Sequence, residues 1–304
     1  PLWSRGLGDV YKRQGLKGAV KIDGSSTVYS ITEAVAEEFR KSEKDVKVTI
    51  GAAGTGAGYK KFCAGELDVA GGSRPIKPDE VEKCKAAGVE LMELPVALDG
   101  LSVVVNPKNT FVKSLSFEQL KRIWEPGSKV KSWKDVDSSW PDQPIKLFGP
   151  SSEHGTFDFF TEAVVGKAKS SRNDYSAASD TNSLVNGVAG EANALGYFGY
   201  GYFEEAKNKL RLVPVSKDGK AAAIAPDSKT IESGAYPLSR LLFITVNKKA
   251  VERPEVDRFV DFYLQSASPV ATSVGYTALP ASKLEQSKAK YKARKVGSWQ
   301  DAAH

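Results

Sequence analysis

At 304 residues, 41% hydrophobic and 26% charged, the chain has the make-up of a soluble globular protein with room for two lobes of roughly 100–150 residues, each burying its own core. No apolar run approaches the roughly 20 residues of a membrane span. The formal charge of +6 suits an anionic ligand, but Lys and Arg are spread along the whole sequence, so nucleic-acid binding is not implied.

Residues 1–14 have neither the apolar core nor the small-residue cleavage site of a secretory signal. They read as a non-native or disordered end reaching to about residue 17, and any export signal is not visible. Ala19 to Ile22 then predicts a strand, and Asp23-Gly24 a turn before Ser25-Ser26-Thr27 opens a helix. In that helix Ile31, Ala34, Val35 and Phe39 recur at helical spacing, with Glu33, Glu37, Glu38 and Arg40 on the other face. Val46 to Ile50 alternates as a strand, a glycine-rich run from Gly51 to Gly58 follows, and a short helix carries Tyr59, Phe62 and Cys63. A strand over Leu67–Ala70, a terminal loop over Gly71–Pro75 and a helix over Lys77–Ala87 stopped by Gly88 complete a third unit of the same kind. Strands alternating with helices argue for an α/β fold with parallel strands.

Leu101 to Val105 predicts a buried strand ended by Asn106-Pro107, and a similar run recurs from Leu241 to Asn247. These are candidates for two passages of the chain between lobes. The first lobe would then be residues 18–103 plus 240–304, and the second 104–239. Trp124 to Pro144, rich in Trp, Pro, Ser and Asp, reads as a long surface loop.

Three segments share one design: a strand ends, small or hydroxyl residues follow, and a helix begins. They are Gly24 to Val28, Gly54 to Gly58, and Gly149 to Thr156 ahead of Phe157-Asp158-Phe159-Phe160. Each can present backbone N–H groups and a hydroxyl at the positive end of a helix dipole, the equipment for holding a phosphate-like anion. Taken singly, each is equally an ordinary N-cap. Arg74, in Gly72-Ser73-Arg74-Pro75, adds a guanidinium that can grip a phosphate bidentately or lie solvated at the surface.

The glycine run is not a nucleotide motif. Tyr59 stands where GxGxxG needs its third glycine, and Ala57 stands where a P-loop needs Lys. His154 and His304 are the only histidines, Glu153-His154 does not make an HExxH helix, and no GxSxG elbow occurs, so neither a metal, a cofactor nor a catalytic triad is implied. Cys63 and Cys84, 21 residues apart, fit one short-range disulfide or else two buried thiols.

In this order, Gly24-Ser25-Ser26-Thr27-Val28-Tyr29, Gly54-Thr55-Gly56-Ala57-Gly58, Ser73-Arg74-Pro75-Ile76-Lys77, Asp99-Gly100-Leu101 through Asn106-Pro107, Gly155 to Phe160, Ala194 to Tyr200 and Tyr236 to Arg240 make the sequence resemble the phosphate-binding proteins of phosphate ABC importers, the PstS family. The resemblance runs from about residue 20 to about 284. It implies an α/β, two-lobed periplasmic-binding-protein fold of the second type, with one phosphate in the interlobe cleft. It also implies a monomer outside the cytoplasm, free or membrane-anchored, that passes inorganic phosphate to a membrane permease and is not an enzyme. Carried over by motif, the ligands would be Ser26, Thr27, the Val28 amide, Thr55, Gly56, Ser73, Arg74, Gly155 and Thr156. The surroundings of Cys63 and Cys84 are similar to a branch of the family with a bridge there.

The chain departs from the family at two places. His154 stands where a phosphate-contacting hydroxyl is usual, so an imidazole would donate from a ring nitrogen, reshape the pocket for another oxyanion, or sit at the helix start facing away. Ser73-Arg74 occupies the turn where other members carry an Asp that accepts the phosphate's proton, which leaves Glu153 as the obvious carboxylate near the site.

Overall fold

The computed structural model describes residues 15–300, so most of the anomalous N-terminal segment and His304 lie outside the described residues. In chain order the elements are β1 (Gly18–Gly24), α1 (Ser26–Ser42), β2 (Val46–Ile50), α2 (Thr55–Cys63), β3 (Val69–Gly72), α3 (Pro78–Ala86) and β4 (Leu91–Val105). There follow β5 (Leu115–Ser116), α4 (Phe117–Trp124), α5 (Trp133–Val136), β6 (Lys146–Pro150), α6 (Gly155–Phe160), a π-helical turn (Thr161–Val165), β7 (Ser176–Ala178), α7 (Thr181–Gly190), β8 (Ala194–Gly199) and α8 (Tyr200–Ala206). The chain then forms β9 (Arg211–Leu212), β10 (Val215–Ser216), α9 (Ser228–Glu232), β11 (Ser239–Asn247), α10 (Pro254–Ser273), β12 (Thr277–Ala278) and α11 (Ala281–Lys292).

Two compact units divide the described residues: 15–96, 242–270 and 281–300 in the first, and 97–241 with 271–280 in the second. The chain changes unit inside β4 and inside β11, both apolar and largely buried. The sequence alone assigns 271–280 to the first lobe. The ladder explains the difference, because Thr277 and Ala278 pair antiparallel with Leu98 and Ala97.

In the first unit β1 lies between β2 and β3, parallel to both, and β11 pairs antiparallel with β3. Helix α1 turns the face Val28, Ile31, Val35 and Phe39 inward as its spacing predicts, and Phe39 meets Phe259 of α10 edge-on at 5.2 Å. Adjacent parallel strands place their carboxyl ends together, and the loops that follow β1 and β3 are thereby gathered at one edge of the unit.

In the second unit β4 pairs antiparallel with β8, β8 runs parallel to β6, and β6 parallel to β7. An aromatic core lies beneath α6: Phe160 stacks on Tyr197 with ring centroids 3.7 Å apart, and Trp124 meets Tyr197 edge-on. The Trp124–Pro144 stretch corrects the surface-loop expectation. Trp124 and Trp133 are both fully buried, and α5 forms inside the stretch. Pro and Ser composition marked the turns there, while the tryptophans serve the core.

Candidate functional site

Three loops come together in the first unit, and glycines let them do so. Gly24 has φ 142, and a Cβ on it would lie 2.2 Å from the Gly71 carbonyl oxygen, so only glycine lets β1 end against β3. At Gly58 a Cβ would come 2.5 Å from the Gly24 Cα, which brings α2 directly onto the first loop. The Ser25 N–H donates to the Gly71 carbonyl at 2.9 Å, tying the first loop to the third.

Ser25, not Ser26, caps α1: its Oγ accepts from the N–H groups of Thr27 at 3.2 Å and Val28 at 3.4 Å. The Val28 amide, expected at the anion, is therefore engaged within the helix start, and Thr27 is buried. Below this loop Asp23 accepts from the N–H groups of Gly24 and Ala53 and forms an ion pair with Lys61 at 2.6 Å. Burial pushes the Asp23 carboxyl up, but Lys61 and the two N–H donors outweigh it and hold the pKa below the ordinary value.

Thr55 begins α2, and its hydroxyl lies 2.8 Å from the Ser73 hydroxyl and accepts the Ser73 N–H at 3.2 Å. The preceding Gly54 has φ 96, a conformation that suits glycine. Gly56, one residue on, is so close to the third loop that a Cβ on it would lie 3.9 Å from Arg74 Nη2. Thr55, Gly56, Ser73 and Arg74 thus form one cluster.

Arg74 is not a solvated surface arginine. Its Nη1 and Nη2 each donate to Glu80 at 2.8 Å, Nη1 also donates to the Pro75 carbonyl at 3.0 Å, and the guanidinium lies 5.5 Å from the Tyr59 ring. The backbone of the same turn is fixed from below. Tyr59 donates its hydroxyl to the Arg74 carbonyl at 3.1 Å, and buried Glu93 accepts the Ile76 N–H at 2.6 Å and the Trp299 N–H at 2.7 Å. Neither glutamate is singled out by the sequence. Glu80, three residues after Lys77 and at the third position of a helix that opens on Pro78, did carry an N-terminal signal; Glu93, inside an apolar strand, carried none.

The second unit holds the other candidates. His154 is the N-cap of α6, its Nδ1 accepting the Thr156 N–H at 3.3 Å. The ring thus stands at the helix start, with Nδ1 occupied there. Burial holds its pKa below the ordinary value against the opposing pull of Glu153 and Asp158, in keeping with a neutral ring that accepts at Nδ1. Gly155 and Thr156 are buried behind it, whereas Glu153 is exposed and accepts the Ser151 hydroxyl at 2.7 Å. Beneath α6, Arg240 sits 3.8 Å from the Phe159 ring and pairs with the buried Asp99 at 3.2 Å.

Cys63 and Cys84 are bonded as a disulfide, joining the end of α2 to α3.

Parallel strands that end in N–H- and hydroxyl-bearing helix starts, repeated in two units of one chain, have the equipment to hold an anionic solute. A family model described as a PBP superfamily domain matches residues 10–267. The chain is 42% identical over 286 residues to protein SphX of Synechococcus elongatus, covering 93% of this chain and 84% of the relative. It is 43% identical over 268 residues to the phosphate-binding protein PstS of Staphylococcus epidermidis, covering 87% and 80%. Among solved structures it is similar to a possible phosphate binding protein from Planctomyces limnophilus, at 48% identity and a TM-score of 0.88 over 91% of this chain and 98% of that one. The chain belongs to the PBP superfamily, with its two-lobed α/β fold, and within it to the family that includes PstS and SphX.

Proposed function

We propose that the chain binds inorganic phosphate outside the cytoplasm and delivers it to the permease of an ABC importer, without turnover. The observation that carries this reading is the cluster of Thr55, Gly56, Ser73 and Arg74 at the start of α2. It combines hydroxyls, a helix-start amide and a guanidinium, which suit the oxygens of a tetrahedral anion. Ser26 and Thr27 of the first unit, and Gly155 and Thr156 of the second, are the further ligands in this reading. The Val28 N–H joins them only if it exchanges Ser25 for the anion. Relatives named phosphate-binding protein PstS support the choice of anion.

Glu153 is the proposed acceptor for a phosphate proton. Its pKa is lowered chiefly by the Ser151 hydroxyl, so it is ionised at neutral pH. The neutral His154 ring, with Nδ1 accepting, keeps Nε2 as its donor edge. Ser151, Ser152 and Glu153 adjoin this ring in sequence, but its Nδ1 accepts the Thr156 N–H and the Ser151 hydroxyl donates to Glu153 instead, an arrangement that supports binding over turnover in this reading. The disulfide favours an oxidising, extracytoplasmic setting, and among the described residues no helix is long and apolar enough to cross a membrane.

A second reading keeps the site and changes the anion to arsenate or a phosphonate, motivated by His154 and Ser73 at the two positions where the chain departs from its family. Calorimetric titration of the phosphate-free protein with phosphate, arsenate, a phosphonate and sulfate separates them. Phosphate should bind at one site per chain and sulfate should not; phosphate weaker than arsenate or a phosphonate would favour the second reading, and no binding of any of these anions would remove both.

A further inference from the structure

The side chain that aims Arg74 lies outside every anion-binding motif in the sequence. Glu80 receives Arg74 on both carboxylate oxygens, at 2.8 Å each, in the fork-to-fork geometry that fixes a guanidinium plane as well as its position. The same carboxylate accepts the Lys77 N–H at 2.9 Å, the side-chain-to-N-cap half of a capping box, so its own rotamer is set by α3. Helix α3 is in turn bonded through Cys84 to Cys63 at the far end of α2, the helix whose first residues are Thr55 and Gly56. The Arg74 head is therefore referenced, through Glu80 and the disulfide, to the helix start beside it.

We infer that Glu80 is a positioning residue for phosphate, acting through Arg74: it holds the guanidinium in its binding orientation before the anion arrives. The inference rests on the reading of Arg74 as a phosphate ligand. Arginine loses several rotatable bonds of freedom when it grips an anion, and a partner that removes that freedom on folding spares the loss on binding. A carboxylate that merely occupied the anion's place would compete with phosphate. Glu80 instead accepts Arg74 on both oxygens while Oε2 also accepts the Lys77 N–H at the start of its own helix, the arrangement of a fixed support.

The test is a thermodynamic cycle by calorimetric titration with inorganic phosphate, using wild type, Glu80→Ala, Glu80→Gln, Arg74→Ala and Arg74→Ala/Glu80→Ala, each first shown to be folded by circular dichroism. Glu80→Ala should weaken phosphate binding roughly three- to tenfold, the cost of immobilising one long side chain at binding. Glu80→Gln, which keeps an acceptor for the Lys77 N–H, should fall between it and wild type and serves alone if Glu80→Ala does not fold. In the Arg74→Ala background the Glu80 substitution should change affinity by less than about twofold, because the group it aims is gone. Wild-type affinity in both Glu80 variants, tighter binding in either, or equal losses in both backgrounds would overturn the inference. If Arg74→Ala binds as wild type does, Arg74 is no ligand and the inference fails with it. If wild type itself binds no phosphate, the proposed function fails first.

Discussion

Arg74 and Arg240 both pair with a carboxylate and both lie near an aromatic ring, yet substitution should affect different properties. Arg240 and Asp99 are buried together with side-chain exposures of 13% and 1%. Removing one partner of such a pair leaves an uncompensated charge inside, at a cost of about 3–5 kcal/mol. Arg240→Ala should therefore show a large loss in a urea unfolding titration. Arg74, at 28% exposure, pairs with a carboxylate that water reaches, and Arg74→Ala should leave the fold standing. Its loss should appear in phosphate affinity, as roughly one to two decades for a charge-assisted contact worth about 1.5–3 kcal/mol. Affinity equal to wild type would take Arg74 out of the site. His154 gives the third residue-level expectation. Its folded pKa lies below the ordinary 6.5, so the stability contributed by the neutral cap is fully present above about 6.5 and is lost as pH falls through the lower folded value. His154→Ser supplies a non-titrating cap. In phosphate-free urea titrations at pH 7.5 and pH 5, wild type should lose stability relative to His154→Ser, and parallel losses would show that the imidazole does not carry the helix start.

Among the elements, α2 and α3 are short, and the disulfide between them encloses a 21-residue span. Closing a loop of that size stabilises by roughly 3 kcal/mol in the chain-entropy account. Replacing both Cys63 and Cys84 by Ser should therefore lower the unfolding free energy by about that amount in urea titrations, and an unchanged midpoint would contradict a stabilising role for the bridge. Strand–loop–helix units were legible in the sequence because apolar periodicity and glycine position report on backbone geometry directly. The start of α1 was legible to within one residue: the Ser25-Ser26-Thr27 run marks a cap, but which serine caps depends on the strand it leaves, and the Ser25 N–H is tied to Gly71. Helix α5 and the buried Trp133 were not legible, because a four-residue helix has no period to read and its burial depends on partners distant in sequence.

At the scale of the whole chain, the family and the two-lobed α/β class could be read from seven ordered motifs, and the family comparisons agree. Less of the candidate site could be read. Hydroxyls, glycines and Arg74 announce themselves by type and by position at strand ends. Their supports do not, since Asp23, Glu80 and Glu93 are ordinary acidic residues whose roles exist only once chain segments 38, 6 and 17 residues away in sequence are brought against them. In the function proposed above, an inorganic phosphate is held by the groups gathered at the start of α2. A crystal structure of the protein grown with phosphate tests this most directly. The expected result is a phosphate with oxygens at hydrogen-bond distance from the Thr55 hydroxyl, the Gly56 N–H and the Arg74 guanidinium, with Glu80 still on Arg74. A phosphate bound at full occupancy away from all three groups would contradict it.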